Sequence, residues 1–463
     1  MQQDPLFPGI EPSQVMAEPQ PQTQWESPAP APPRLRRAER GQVLMEPLSL
    51  EQTLPPDHPA RAVWAAVCAL DWSEFEASLL ARGEAPGRPA TDPRVLAALW
   101  LYAAVDGVGS GRHLAELCVD HAAYRWIRGG VSVCYHTLND FRVGHGPALD
   151  GLFTQVLGRL VNAGVVDVET ITQDSTVVRA SAGRSSFHRE ATLEKDLAAA
   201  REHLAALKRE VDDSPEASKQ RRAAREHAAQ DRVRRVTEAM AHVQQIREAK
   251  AAQKDKPSKH TEARASSTDP EARVVKTGDG GHAPGYLVQL AQDPGSRAVV
   301  GVDVTNAGDK GRESEMRQQV RERTGREVKA HVVDGNYFTH AAVERADAEG
   351  VALYAPVPEP KKEGQDRYAR RKDDSDAVAE FRARMGTPQG QEAYRVRCRT
   401  CETVNADVKE HRGLRSVRVR GLVKVLSVAL WHALAYNLMH FGAAVVASAS
   451  AAAGTVVAAA AVE

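Results

Sequence analysis

Apolar residues change their period several times along this chain, and those changes divide it. From Leu54 to about Gly164 they recur at helical spacing. The stretch from Arg61 to Leu70 is amphipathic. Asp92 followed by Pro93 supplies a capping side chain and a first-turn proline for a helix reaching Tyr102. Further short helices are predicted at 110–122, 132–143 and 147–163, with Gly107, Gly109, Gly129 and Gly130 as breaks between them. From Val165 to Asp174 the period falls to two among β-branched residues, which predicts a strand ending at Asp174. An insertion at 188–265 returns to helix. Leu193, Leu197, Ala200, Leu204, Leu207 and Val211 alternate four and three apart, the spacing of a coiled-coil seam. After a break at Asp212–Glu216, Ala229, Val233, Val236, Met240 and Val243 repeat it. The two stripes predict an antiparallel helical hairpin, a structural arm.

Strand signals then resume. Tyr286–Gln292 and Ala298–Val304 flank the turn sequence Asp293-Pro-Gly-Ser296. A helix is predicted over 312–324, a strand over 329–333 ending at Asp334, a helix from Thr339 to Glu349 and a strand over Val351–Ala355. Glu359 to Asp376 is charged and reads as a loop, with helices from about 377 onward. That order makes the fold class α/β, a mixed sheet with helices on its faces, preceded by an all-helical region. The last 43 residues carry only Lys424 and Glu463 as charged side chains, which is long enough and apolar enough to suggest a membrane span. Most of that stretch is alanine, however, and His432, Asn437 and His440 interrupt it, so a core helix to about Gly442 and an Ala-rich tail at 443–463 are expected, with no membrane partner.

Composition narrows the classes. Among 463 residues, 61 Lys and Arg balance 61 Asp and Glu, which excludes a uniformly basic nucleic-acid coat but not a local patch. Aromatics at 5% argue against stacking platforms for single strands. Five cysteines are too few for a disulfide scaffold and suit a reducing cytosol, and no leader is apparent in the first 30 residues; the expected location is cytoplasmic. Residues 1–48 hold 10 of the 26 prolines and few large aliphatics, so a disordered tail is expected there.

Candidate chemistry rests on acids at chosen places. Asp174 and Asp334 each end a predicted strand, where side chains project into the crevice of an open sheet. Two such aspartates can hold divalent cations through oxygen ligands, or each can simply cap a turn. Glu402 lies on a predicted helix with Arg395 and Lys409 seven residues to either side and Arg399 beside them, one carboxylate on a basic stripe. Residues 397–420 contain seven Lys and Arg against three acids, a patch whose natural partner is phosphate. Cys398 and Cys401 form a C-x-x-C pair without the second pair a zinc site needs. The predicted helix at 132–143, with Ser132 as cap, either packs in the bundle or presents His136, Asn139 and Arg142 to DNA.

Four segments, Gln173–Gly183, Gly301–Thr305, Val333–Tyr337 and Arg412–Leu422, together resemble bacterial insertion-sequence DDE transposases. Tyr394, Arg397, Glu402 and Lys409 resemble the Y-R-E-K signature of that family. The resemblance spans roughly 50–440. It implies a ribonuclease H-like mixed sheet as catalytic domain (165–187 and 266–442), an N-terminal helical DNA-binding domain at 49–164 and the inserted antiparallel coiled-coil hairpin at 188–265. It further implies Asp174, Asp334 and Glu402 as a catalytic triad that binds two Mg²⁺ or Mn²⁺ ions. Tyr394, Arg397 and Lys409 would contact DNA. The implied partner is double-stranded DNA, as terminal inverted repeats and target, held by a homodimer. The chain lacks the aromatic and glycine expected between Glu402 and Lys409, and its Arg397-to-Glu402 spacing is one residue longer than the usual signature. Asp407 and Glu410 therefore stay open as third acids, and so does a catalytically inactive DNA-binding descendant.

Overall fold

A computed structural model describes residues 49–82, 89–213, 219–252, 263–278, 280–360 and 364–460. The tail expected at 1–48, the break between the arm helices at 214–218 and residues 461–463 lie outside the described residues. The chain begins with α1 (Pro59–Cys68), α2 (Ser73–Ala77), α3 (Pro93–Val105), α4 (Gly111–Asp120), α5 (Ala122–Arg128), α6 (Tyr135–Gly144) and α7 (Gly146–Asn162). Local chemistry sets their ends. The Asp92 carboxylate accepts the Arg94 amide at 2.8 Å and Pro93 opens the first turn of α3. Gly129, at φ +58°, closes α5 in the left-handed region where glycine is favoured. Residues Val95–Ala104 of α3 are all buried, so this helix is the centre of the bundle rather than a surface stripe.

The sheet follows: β1 (Thr170–Arg179), then, after the insertion, β4 (Arg273–Lys276), β5 (His282–Gln292), β6 (Val299–Thr305), β7 (Ala330–Val333) and β8 (Ala352–Tyr354). Its order is β4-β5-β1-β7-β8, with β6 also paired to β5. β5 runs antiparallel to β1, β4 and β6, while β7 runs parallel to β1 and β8 parallel to β7. The hairpin between β5 and β6 turns at the Asp293 sequence, where the Asp293 carboxylate accepts both the amide (2.7 Å) and the hydroxyl (2.6 Å) of Ser296. Helices α10 (Arg312–Thr324) and α11 (His340–Ala348) make the crossovers from β6 to β7 and from β7 to β8.

One expectation shifts here. β1 starts at Thr170 and runs to Arg179, so Asp174 lies within the strand rather than at its end. Val166 and Val168 supply the alternation before it and are buried in the approach. The strand continues past Asp174 because β5 still pairs with it, from Asp174 opposite Leu290 to Arg179 opposite Gly285.

The insertion opens and closes on a small antiparallel pair, β2 (Phe187–His188) with β3 (Ala265–Ser266). Between them α8 (Glu190–Asp213) and α9 (Lys219–Ala252) pack against each other. Leu193 and Leu197 of α8 meet Val236, Ala239 and Val243 of α9 in a cluster of their own. These are positions of the two predicted stripes, Ala239 excepted.

After β8 come α12 (Asp376–Gly386) and α13 (Pro388–Arg397). A widened π-helical turn at Cys398–Glu402, α14 (Thr403–Ala406) and a second π turn at Asp407–His411 continue the run. The last helix, α15 (Leu422–Ala460), has the length and apolar character of a membrane span, yet most of its apolar part is buried inside the protein. It packs against α1, α3, α7 and β6. Its polar interruptions are partnered: Asn437 exchanges two hydrogen bonds with the backbone of Val299, at 2.8 and 2.9 Å, and the Val428 carbonyl lies 2.7 Å from His432 Nδ1. Because α15 touches the first helices and the sheet alike, Leu48–Glu463 holds together as one unit. Close approach of Gly413 to Gly107 belongs to the same junction: a Cβ on Gly413, which has φ +78°, would meet the Gly107 carbonyl oxygen at 2.7 Å.

Candidate active site

Register builds this site. β1 and β7 run parallel with Gln173 opposite Val333, so the next residues, Asp174 and Asp334, leave the pairing side by side. β7 ends there while β1 goes on, which opens a crevice at the carboxyl end of β7 beside one edge of β1. Arg397, from the end of α13, reaches both acids. Its Nη1 donates to Asp174 Oδ2 at 2.9 Å, and its Nη2 lies 3.6 Å from Asp334 Oδ1. Asp174 Oδ1 accepts its neighbour's amide, Ser175, at 2.9 Å, and Asp334 Oδ2 accepts from Asn336 Nδ2 at 3.1 Å.

Electrostatics follow from this packing. Burial pushes the Asp174 carboxyl up to about 6, with Arg397 opposing and the charges of Asp334 and Asp309 adding to the rise. Burial pulls the other way on Arg397, but Asp174, Tyr394 and Asp334 together hold its pKa above the ordinary arginine value. Tyr394 is half-buried, its ring centroid 5.9 Å from the Arg397 guanidinium carbon, and burial raises its hydroxyl.

The other face of β1 carries a polar chain that sequence reasoning missed. Gln173 Nε2 donates to Gln289 Oε1 at 3.0 Å, the Tyr337 hydroxyl donates to the same oxygen, and Gln289 Nε2 donates to Asp309 Oδ1 at 2.6 Å. The available signal was Gln289 itself: a fully buried amide inside the apolar run Leu287–Leu290 must find partners.

The predicted third acid stands apart. Glu402 ends the first π turn, is exposed, and its side chain makes no hydrogen bond or ion pair with the described residues. The neighbour facing inward is Cys401, fully buried, with Sγ 3.1 Å from Gln292 Oε1; burial pushes its thiol up to about 12. Among the described residues no group of three or more His, Cys, Asp or Glu is placed to hold a metal ion. The structure therefore brings Asp174 and Asp334 together and leaves Glu402 outside the pair. Both alternatives are committed elsewhere: Asp407 binds Arg412 at 2.6 Å, and Glu410 pairs with Arg415. Lys409 lies on the second π turn, part-exposed. Two π turns fall in one short helical run, one at Glu402 and one at Lys409, and such turns are frequent at functional sites. Arg142, expected either to pack or to face DNA, is buried and stacked on Trp100, with the guanidinium carbon 4.2 Å from the ring centroid.

The family described as "Transposase DDE domain" matches residues 359–441, the segment holding Arg397, Glu402 and Lys409. Matches to two transposase families support an insertion-sequence DDE transposase. A second family, described as "Transposase domain (DUF772)", matches residues 48–143, from the first helices through most of α6. Asp174 and Asp334 lie between the two matched segments, so their place in the transposase rests on the register described above. No curated protein and no solved structure matches the chain.

Proposed function

We propose that this transposase cuts and joins DNA strands at the Asp174–Asp334 pair, with Glu402 as third acid, and that the pair adjoining Arg397 carries the reading. Two carboxylates, one within β1 and one just past the end of β7, already share one cation, the Arg397 guanidinium. Their hard oxygen donors suit a divalent ion such as Mg²⁺ or Mn²⁺. Two bound ions would acidify the attacking water or 3′-hydroxyl and offset charge on the leaving oxygen. The chain's own part is positioning. Asp174 and Asp334 hold the charge at fixed separation, and Arg397 and Lys409 hold the backbone phosphates beside the cut. Tyr394 stacks on a displaced base. No protein nucleophile is required.

The sheet order supports a ribonuclease H-like catalytic core, spanning 165–187 and 266–442: three antiparallel strands, β6-β5-β1, extended by parallel β7 and β8. Residues 49–164 serve as the helical domain that binds terminal inverted repeats, and 188–265 as a coiled-coil arm. The working species is a homodimer on double-stranded DNA in the bacterial cytoplasm, associated with the nucleoid. Exposure of Glu402 favours one alternative, a catalytically inactive transposase-derived DNA-binding protein.

A strand-cleavage assay separates the two. Labelled duplex carrying the inverted repeats that bracket the gene is expected to be nicked in Mg²⁺ or Mn²⁺ and left intact when a chelator is added. Binding without cleavage in either metal would establish the inactive alternative instead.

A further inference from the structure

A second charged recess lies away from the acid pair. It is an open cleft of about 1130 Å³ where α4, α6, α9 and the 418–424 segment meet. Its acids are largely spoken for. Asp231 and Glu238 bind Arg234, Asp269 accepts from the Tyr286 hydroxyl at 2.7 Å, and Glu271 accepts the Leu422 amide at 2.8 Å. Beyond Arg234 and Arg235, which Asp231 pairs, four of its cations are not. Arg112, Arg418, Arg420 and Lys424 are exposed and form no ion pair among the described residues; Arg112 lies over the Tyr135 ring and Arg420 reaches the Ser181 carbonyl at 3.4 Å.

At the floor sits Arg142, 6% exposed and without a carboxylate. It donates to the Gly109 carbonyl at 2.9 Å, and its buried Nε has no partner. Burial and the positive charge of Arg418 push this guanidinium down to about 10. Arg142 is held by the Trp100 ring and the Gly109 carbonyl but has no carboxylate, and with exposed Arg418 beside it the cleft offers an anion two positive charges that no acid of the fold offsets.

The cleft is joined to the acid pair by β1. The Arg179 amide donates to the Arg415 carbonyl at 3.0 Å, and Arg179 bridges Ser416, so the strand bearing Asp174 runs directly to the cleft's edge at Ser181. β1 ends at Arg179 and Ser181 lies two residues on, so even fully extended the chain from Asp174 to Ser181 spans at most about 23 Å, less than one turn of B-DNA (~34 Å). A separation of that size is within the reach of one duplex.

We propose that this cleft is a second duplex-DNA contact, in which Arg112, Arg418, Arg420 and Lys424 hold backbone phosphates less than a helical turn from the cut. The distance to the cut rests on the reading of Asp174 as catalytic; the phosphate contacts do not. Duplex rather than single strand is indicated because Tyr135 is the cleft's only aromatic lining residue among those described, and Arg112 already covers it.

The test is anisotropy of a fluorescein-labelled 40-bp duplex with the full chain across 50–200 mM salt. Arg418→Gln with Lys424→Gln removes two phosphate contacts, so the salt slope should fall by about 2 and affinity at 150 mM salt by about tenfold or more. Arg326→Gln, an exposed arginine outside the cleft, should change neither. Because all three side chains are exposed, melting curves should coincide; Arg112→Gln provides a further variant from a different helix, expected to lower the slope by about 1. Wild-type affinity and slope in the double and Arg112 variants would overturn the cleft. Asp174→Asn tests the catalytic reading separately: cleavage should be lost, while the fall in salt slope caused by Arg418→Gln with Lys424→Gln should be the same size in that background.

Discussion

Asp174→Asn is expected to abolish strand cleavage, lowering the rate at least ~10³-fold, because a metal-ligating carboxylate supplies several kcal/mol of charge stabilisation. The same variant should be more stable than wild type without metal. Asp174 has its carboxyl raised to about 6 against 3.8 for an ordinary aspartate. A raised pKa means the fold favours the protonated form. That contribution is fully present below the ordinary carboxylate range and is gone once pH passes about 6. At pH 7.5 the ionised, part-buried carboxylate is a liability that asparagine lacks, by about 1–2 kcal/mol after allowing for the lost Arg397 contact. Melting in chelator should therefore show the variant above wild type at pH 7.5 and the gap closing toward pH 4. Added Mg²⁺ should raise wild type alone. Bound Mg²⁺ favours the ionised carboxyl, so cleavage by the wild type should decline only below pH 6, at a pH that falls further as Mg²⁺ is raised. A variant that still cleaves, or that melts below wild type at pH 7.5, contradicts the role given to this side chain.

The second large effect concerns stability. Arg382 and Asp374 are both buried, with Nε donating to Oδ2 at 2.7 Å, and Arg382 Nη1 donating to the Arg367 carbonyl at 3.0 Å. Although burial opposes it, the Arg371 amide and the Arg382 guanidinium hold Asp374 below the ordinary carboxylate value. Its contribution is present above that ordinary value and lost as pH falls through the lowered one. Asp374→Ala leaves a buried guanidinium without its counter-ion and should cost about 3–5 kcal/mol in denaturant unfolding. Asp374→Leu combined with Arg382→Met should recover most of that loss, since no orphan charge remains. The pair ties the loop after β8 to α12, and α13 with Arg397 follows directly. If the single variant unfolds like wild type, the pair does not hold this region.

Much of the frame was legible in the chain itself. The β5–β6 hairpin, both crossover helices and the two stripes of the arm follow from local periodicity and turn chemistry, which need no distant partner. The burial of the last helix was legible too, because Asn437 and His432 argue for hydrogen-bonding neighbours. What failed depends on contacts between distant segments. β1 was placed five residues early because Val166 and Val168 alternate like a strand, whereas its true extent is set by pairing with β5. The alignment of Arg395, Glu402 and Lys409 assumed an unbroken α-helix, and two π turns intervene. Arg142 looked available to DNA on its own helix, yet Trp100, far away in sequence, covers it. The charged cleft gathers residues from α4 and from the 418–424 segment, a juxtaposition no window of sequence displays.

Crystals of the chain grown with Mn²⁺ and a duplex end, measured for anomalous scattering at the manganese edge, address the triad without relying on activity. Peaks should lie within coordinating distance of the carboxyls of Asp174 and Asp334, with Glu402 drawn in to complete the set. Manganese bound elsewhere, or a crevice where Arg397 alone still bridges the two aspartates at saturating Mn²⁺, would contradict it.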